Sequence, residues 1–244
     1  MRIECETNIG SVRLQNQDSC DCGNFSEKQV WGIVCDGMGG ANAGNVASKI
    51  ALEKIRAFIL TNFYQGMSTK NIKAMLQSAV SRANTAVYEA AHENEDYIGM
   101  GTTAVVVLAE ENRIHVVHVG DSRAYLMNKE GLHRITTDHS FVQNLIDFGQ
   151  ITESEARVHP KRNVITRVVG VHEEVEADYF MSDFCMGDTV LACTDGLTTY
   201  MSDDTLKEYI AQYSGKTLIE KSIRYAVDAG GADNITVIAI SNDD

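Results

Sequence analysis

The sequence contains a single proline and no stretch rich in proline, glycine and serine, so nothing in it reads as a linker between domains. Basic residues are scarce. Lys and Arg number 21 against 34 Asp and Glu, which leaves a formal net charge of −13. That balance argues against nucleic acid or an anionic membrane as the main partner. Long apolar runs are missing too. None approaches the roughly 18 residues of a membrane-spanning helix, and no charged-then-apolar signal segment opens the chain. A cytoplasmic, monomeric protein is the expectation. The six cysteines form no metal-binding pattern. Cys20 and Cys22 are separated by one residue and lack a second matched pair. Cys35 and Cys193 fall inside apolar runs and read as small core residues. Reduced thiols are expected throughout. No Asp-x-Asp-x-Asp-Gly loop is present, which excludes a calcium-binding helix–loop–helix.

What the chain does have is acidic residues at the edges of apolar runs. Val30 to Cys35 leads into Asp36-Gly37, Ile114 to Val119 into Gly120-Asp121, and Thr189 to Cys193 into Thr194-Asp195-Gly196. Asp233 opens the run Asn234 to Ile240. Short, β-branched, apolar stretches read as buried strands. Carboxylates brought together at strand ends repel by several kcal/mol, so something cationic must balance them. Oxygen-only ligands select hard cations such as magnesium, manganese or calcium. The pattern therefore points to a metal-dependent enzyme.

At 244 residues the chain can bury one large core, and one domain over 1–244 is expected. Strands are expected at 2–7, 11–15, 20–25 and 29–35. Two amphipathic helices follow, the first marked by Val46, Ile50, Ile55, Phe58 and Ile59, the second by Ile72, Met75, Leu76, Ala79, Val80, Ala83 and Val87. Strands at 102–109, 113–120 and 123–128, with short connections, predict an antiparallel meander. Residues 141–167 break the strand rhythm. They carry a short helix ending near Gly149 and a capping-box signature at Thr152 and Glu155. Strands near 175–182 and 187–194, helices near 203–212 and 216–229, and a last strand at 234–241 complete an α+β pattern.

Taken in order, several motifs resemble the metal-dependent serine/threonine protein phosphatases of type 2C, in their bacterial branch. They are Gly10-Ser11-Val12-Arg13 with Asn16-Gln17-Asp18, Asp36-Gly37-Met38-Gly39-Gly40, Gly99-Met100-Gly101-Thr102-Thr103 and Gly120-Asp121-Ser122-Arg123-Ala124. Asp138-His139-Ser140, His159-Pro160 with Asn163 and Arg167, Thr194-Asp195-Gly196-Leu197 and Asp233-Asn234-Ile235-Thr236-Val237 continue the series. The resemblance spans almost the whole length. It implies a four-layer α-β-β-α sandwich of two antiparallel sheets flanked by helix pairs. It also implies a flap at about 141–167.

The same resemblance implies site roles. Asp36 would bridge two metals, with the Gly37 carbonyl on one of them. Asp195 and Asp233 would complete the other ion's shell, and Asp18 would stand in or beside the first. Asp121 with Asp195 would hold a third, weaker Mg2+ or Mn2+ ion. Arg13 would clamp the substrate phosphate through its planar fork. A bridged water would then attack phosphorus in line, with Asp36 and Asp195 positioning the ions. His159 is a candidate substrate contact. Phosphorylated proteins and a cognate serine/threonine kinase are the implied partners.

The chain departs from the family pattern at two places. Gln17 stands where many relatives have Glu, and Met38 stands where animal relatives have a proton-donating histidine. Leaving-group protonation must then come from water, His139 or His159. Asn234 reads as an ordering residue for its loop. No cysteine is followed by arginine six positions on, so a phosphocysteine route is excluded. A small-metabolite phosphatase and a non-catalytic phosphoprotein-binding module are the alternatives. The second would have lost the aspartates that are all present here.

Overall fold

The computed structural model describes residues 1–40 and 43–243. Strands β1 (Arg2–Asn8), β2 (Asp18–Ser26) and β3 (Gln29–Met38) lead into helices α1 (Ala43–Asn62) and α2 (Thr69–Glu93). The short β4 (Gly101–Thr102) precedes β5 (Ala104–Glu110), β6 (Arg113–Val119), β7 (Arg123–Asn128) and β8 (Gly131–Arg134). Helices α3 (Phe141–Asp147) and α4 (Glu153–Val158) follow, then β9 (Asp178–Asp183) and β10 (Thr189–Cys193). A single-turn helix α5 (Asp195–Thr198), helices α6 (Asp203–Gln212) and α7 (Gly215–Asp228), and β11 (Ile235–Ser241) complete the chain.

The strands form two antiparallel sheets. One has the order β1-β11-β10-β7-β8, the other β2-β3-β5-β6-β9 with β4 paired to β3. Alternation along each strand splits its side chains between two cores. On β3, Val30 and Val34 face the other sheet with Val105, Val107, Ile238 and Ile240, while Trp31, Ile33 and Cys35 face α1 and α2. On the opposite sheet, Leu191, Cys193, Val237 and Ala239 pack under α6 and α7. Three apolar layers therefore separate four structural ones, which is the expected α-β-β-α sandwich.

Local signals set most helix starts. Ser68, Ser140 and Ser202 accept backbone N–H groups of α2, α3 and α6, and Thr152 with Glu155 makes a reciprocal capping box. Gly149, at φ 67°, follows α3 as expected.

Some expectations need correction. Residues 11–15 form no strand. They belong to a loop that turns at Gly10, whose φ is 78° and where a Cβ would lie 2.2 Å from the Asp233 carbonyl oxygen. The meander is also broken. β5 and β6 pair, but β7 leaves for the other sheet and lies between β10 and β8. Gly120, at φ 110°, turns the chain across the sandwich. This crossing is what places Asp121 at the end of the sandwich, between the sheets. The strands expected at 175–182 and 187–194 are Asp178–Asp183 and Thr189–Cys193, and β4, β8 and α5 lack the long periodic pattern that would announce them. Among the described residues, no helix is long and apolar enough to cross a membrane.

Candidate active site

Asp18 and Asp36 are direct cross-strand partners at the ends of β2 and β3. Like charges opposite one another destabilise a sheet, so this pairing is tolerated only for another reason. Asp18 is buried, and one of its oxygens accepts hydrogen bonds from Thr194 Oγ1 (2.9 Å) and Thr236 Oγ1 (2.6 Å) of the other sheet. Burial raises its pKa to about 7, against the pull of those two hydroxyls. The Asp36 backbone is clamped on both sides. Its N–H donates to Thr103 Oγ1 (2.9 Å), and its carbonyl accepts from the Thr103 N–H (2.8 Å) and Thr102 Oγ1 (2.9 Å).

Four carboxylates converge on Asp36. Burial and then the charges of Asp18, Asp195, Asp121 and Asp233 hold its pKa well above the ordinary range. Asp195 opens α5 and is raised to about 6, chiefly by burial and by Asp233, with a hydrogen bond to Asp36 acting the other way. Asp121 is also raised well above the ordinary range by burial and the charge of Asp195. Its Oδ1 is buried with no hydrogen-bond partner. Leaving a buried charged acceptor unpaired costs more than about 1–3 kcal/mol.

Arg13 reaches the cluster from the 9–17 loop. Its Nη2 donates to Asp233 Oδ2 at 2.7 Å, and both side chains are partly exposed. Asn234 ties that loop down. Its Nδ2 donates to the carbonyls of Ile9 (2.9 Å) and Gln15 (3.0 Å), and its Oδ1 accepts the Gln17 N–H (2.8 Å). The ordering role expected for Asn234 is thus visible, although the loop it orders is remote in sequence.

Gly37 serves a second purpose besides its expected approach to an ion. A Cβ there would lie 2.0 Å from the Gly44 carbonyl oxygen, so glycine lets α1 dock on β3. Its N–H donates to the Gln17 carbonyl (3.1 Å). The Gln17 side-chain amide donates to the Gly40 carbonyl (3.2 Å) and so latches the turn after Met38.

The two candidate histidines stand apart from the carboxylates. His139 Nδ1 accepts the Gly120 N–H (3.0 Å), which leaves the ring proton on Nε2, facing Asp178 Oδ2 at 3.1 Å. Both nitrogens are committed, and the ring holds the crossing that carries Asp121. His159 Nδ1 accepts the Lys161 N–H (3.1 Å), and its ring packs 5.9 Å from that of Phe141. These contacts lie within the 141–167 segment and bring His159 to none of the five aspartates.

That segment roofs a cavity of about 180 Å³. Asp121 and Asp195 form its floor, and Arg123, Arg134, Arg157 and Arg162 line its walls. Arg123 makes a forked pair with Asp138, with Nε–Oδ1 at 2.9 Å and Nη2–Oδ2 at 2.6 Å. Neither Arg123 nor the two threonines that grip Asp18 stands out from sequence spacing. Their signal is membership of the motifs that carry the resemblance: Arg123 follows Asp121 by two residues, Thr194 immediately precedes Asp195, and Thr236 follows Asp233 by three.

The chain is similar to known proteins over its full length. A family model described as protein phosphatase 2C matches residues 10–223. The serine/threonine phosphatase stp of Listeria innocua is 34% identical over 247 residues, covering 98% of this chain and 95% of its own. The crystal structure of the Mycobacterium tuberculosis serine/threonine phosphatase PstP/Ppp superposes with a TM-score of 0.89 at 35% identity, covering 100% of this chain and 99% of that one. A structure of the catalytic domain of PstP in complex with two manganese ions matches with a TM-score of 0.85 at 34% identity, covering 98% and 96%. With matches of this extent on a site of this composition, the chain belongs to the protein phosphatase 2C family.

Proposed function

We propose that this protein hydrolyses phosphoserine and phosphothreonine in proteins with the help of divalent cations held by the strand-end aspartates, and that it opposes a serine/threonine kinase. One observation carries the reading: five carboxylates converge from both sheets, several are buried, and Asp121 Oδ1 has no partner. Among the described residues, no group of three or more His, Cys, Asp or Glu side chains forms a ready metal cage. The cluster is an open one, which suits hard ions that keep water in their shell. Orphaned, mutually repelling carboxylates fit cations and little else.

Asp36, Asp195 and Asp233 would hold two Mg2+ or Mn2+ ions, with the Gly37 carbonyl and Asp18 contributing to the same pair. Asp121 and Asp195 would hold a third, weaker one. When bound, such ions offset charge on the phosphoryl oxygens and acidify water for in-line attack on phosphorus.

The remaining steps belong to the chain itself. Arg13 exchanges Asp233 for a phosphate oxygen pair, which its fork matches. Thr194 and Thr236 fix the orientation of Asp18, and Thr102 and Thr103 fix the Asp36 backbone. The 141–167 segment acts as a flap that shields the phosphoryl group and reads the peptide through Lys161 and Arg162. His139 orders the Asp121 crossing and donates no proton to substrate.

Phosphate release from a phosphothreonine peptide tests the reading, measured with manganese and with a chelator. Release that needs the metal and disappears in Asp36→Asn is the expected result. Metal-independent release, or full activity in Asp36→Asn, would overturn it.

A further inference from the structure

Three of the six cysteines meet at one place that the phosphatase site does not use. Cys5 lies on β1 and Cys20 and Cys22 lie on β2. These are the edge strands of the two different sheets. Cys5 and Cys20 both pack against the core between the sheets, and alternation puts Cys22 on the same face as Cys20. The Cys22 thiol lies 3.1 Å from Cys5 Sγ. All three side chains are half-buried, which leaves part of each open to a small solute. Opposite Cys22 on β3 stands Gly32, which carries no side chain to wedge the edges apart.

We propose that Cys5 and Cys22 are a hydroperoxide-oxidisable dithiol that closes into a disulfide joining the edges of the two sheets. The Cys5 thiolate attacks the distal peroxide oxygen, the O–O bond breaks, and Cys5 becomes a sulfenic acid as an alcohol or water leaves. The Cys22 sulfur then attacks the Cys5 sulfur, the S–OH bond breaks, and water departs with the Cys22 proton. Two thiols and one hydroperoxide thus give one disulfide, one water and the alcohol or second water. Closing the bond requires the sulfurs to approach from 3.1 Å to about 2.05 Å.

The surroundings favour Cys5 as the attacking group. Hydrogen bonds from the thiols of Cys20 and Cys22 pull its pKa down to about 4. The thiolate is the reactive form. The bond would also close a loop that contains Arg13 and Asp18, tethering the ends of the segment that carries them. Among the described residues, no cysteine group is arranged as a metal cage.

The test treats the reduced full-length protein with hydrogen peroxide, then with dithiothreitol, and follows intact mass, peptide mapping and melting temperature. Catalysis is not the readout, so the outcome is independent of the phosphatase reading. The expected result is loss of two hydrogens, a Cys5–Cys22 linked peptide, a melting temperature raised by several degrees, and full reversal by the reductant. Cys5→Ser should abolish the link. Cys22→Ser should stop at the sulfenic acid or divert to Cys20, and Cys185→Ser, which removes an exposed thiol outside the cluster, should change nothing. A product linking Cys185 between two chains, or no bond to Cys5 at all, overturns the proposal. So does stoichiometric zinc held by the reduced protein and lost in Cys5→Ser, because the three thiols would then be a metal site.

Discussion

Arg13 and Asp121 reach one carboxylate cluster on opposite kinds of support. Arg13 stands on a loop without strand partners, between Val12 and Leu14, which are 64% and 96% exposed. The buried Asn234 side chain ties that loop to the sandwich, helped by the Ser11 N–H on the Gly231 carbonyl (2.7 Å) and Asn16 Nδ2 on Thr7 Oγ1 (2.9 Å). Asp121 is 8% exposed and sits on the crossing between sheets. His139 accepts the N–H of Gly120 on one side, and Ser122 bonds Thr103 at 2.7 Å on the other. The contrast teaches where each kind of group belongs. On the proposed reading, a group that changes partners in turnover sits where it is exposed and loosely held. A group that endures unfavourable burial sits where the scaffold leaves it no alternative.

The largest effect should come from the rigid side. Asp36→Asn should remove both of the proposed manganese sites by calorimetry and abolish turnover. Asp195→Asn and Asp233→Asn should each lose at least about 10²-fold in kcat. Asp121→Ala should keep the two tight ions and still lose most turnover on phosphopeptides. If it keeps full activity across manganese concentrations, Asp121 is only a turn residue and the comparison collapses.

Asn234→Ala should strike the loop side through its anchor. It strands the Gln17 N–H and two carbonyls, at a cost of about 2–4 kcal/mol in stability by chemical denaturation. It should also lower kcat/KM by disordering Arg13. A variant that melts early but keeps normal kinetics would show that the loop positions Arg13 without Asn234.

Arg13→Ala should lower kcat/KM by an amount equivalent to about 2–3 kcal/mol. Stability should change by no more than about 1 kcal/mol, since the pair with Asp233 is partly exposed and screened. A large loss of stability with normal kinetics would make Arg13 a structural residue and erase the difference between the two supports.

The last effect is a pH slope. Asp18 and Asp195 have pKa values raised from 3.8 to about 7 and about 6. A raised carboxyl pKa favours the folded state at low pH, and that stability is lost as pH climbs through the folded value. In chelator, the wild-type melting temperature should therefore fall relative to Asp18→Asn between about pH 4 and pH 7. Manganese should flatten the difference. Parallel curves for the two proteins in chelator would mean that Asp18 titrates alike in the folded and unfolded states and is not raised by the fold.

Much of this was legible in the chain because the rules involved are local. Alternation in Val30 to Cys35 assigns each side chain a face, and Thr152 with Glu155 needs only a helix start to make its box. Asp36, Asp195 and Asp233 stand out because each adjoins an apolar run. By themselves, these patterns determined most of the strands and helices, the carboxylates at the ends of apolar runs and the resemblance. Tertiary packing alone decided that β7 joins β10 rather than β6, that residues 11–15 hang from Asn234 rather than pair, and that His139 spends both nitrogens on the Asp121 crossing. It also brought Cys5 to Cys22 from another sheet. Periodicity specifies which way a side chain faces. It says nothing about which distant segment fills the space it faces, because that choice depends on how all the faces pack together.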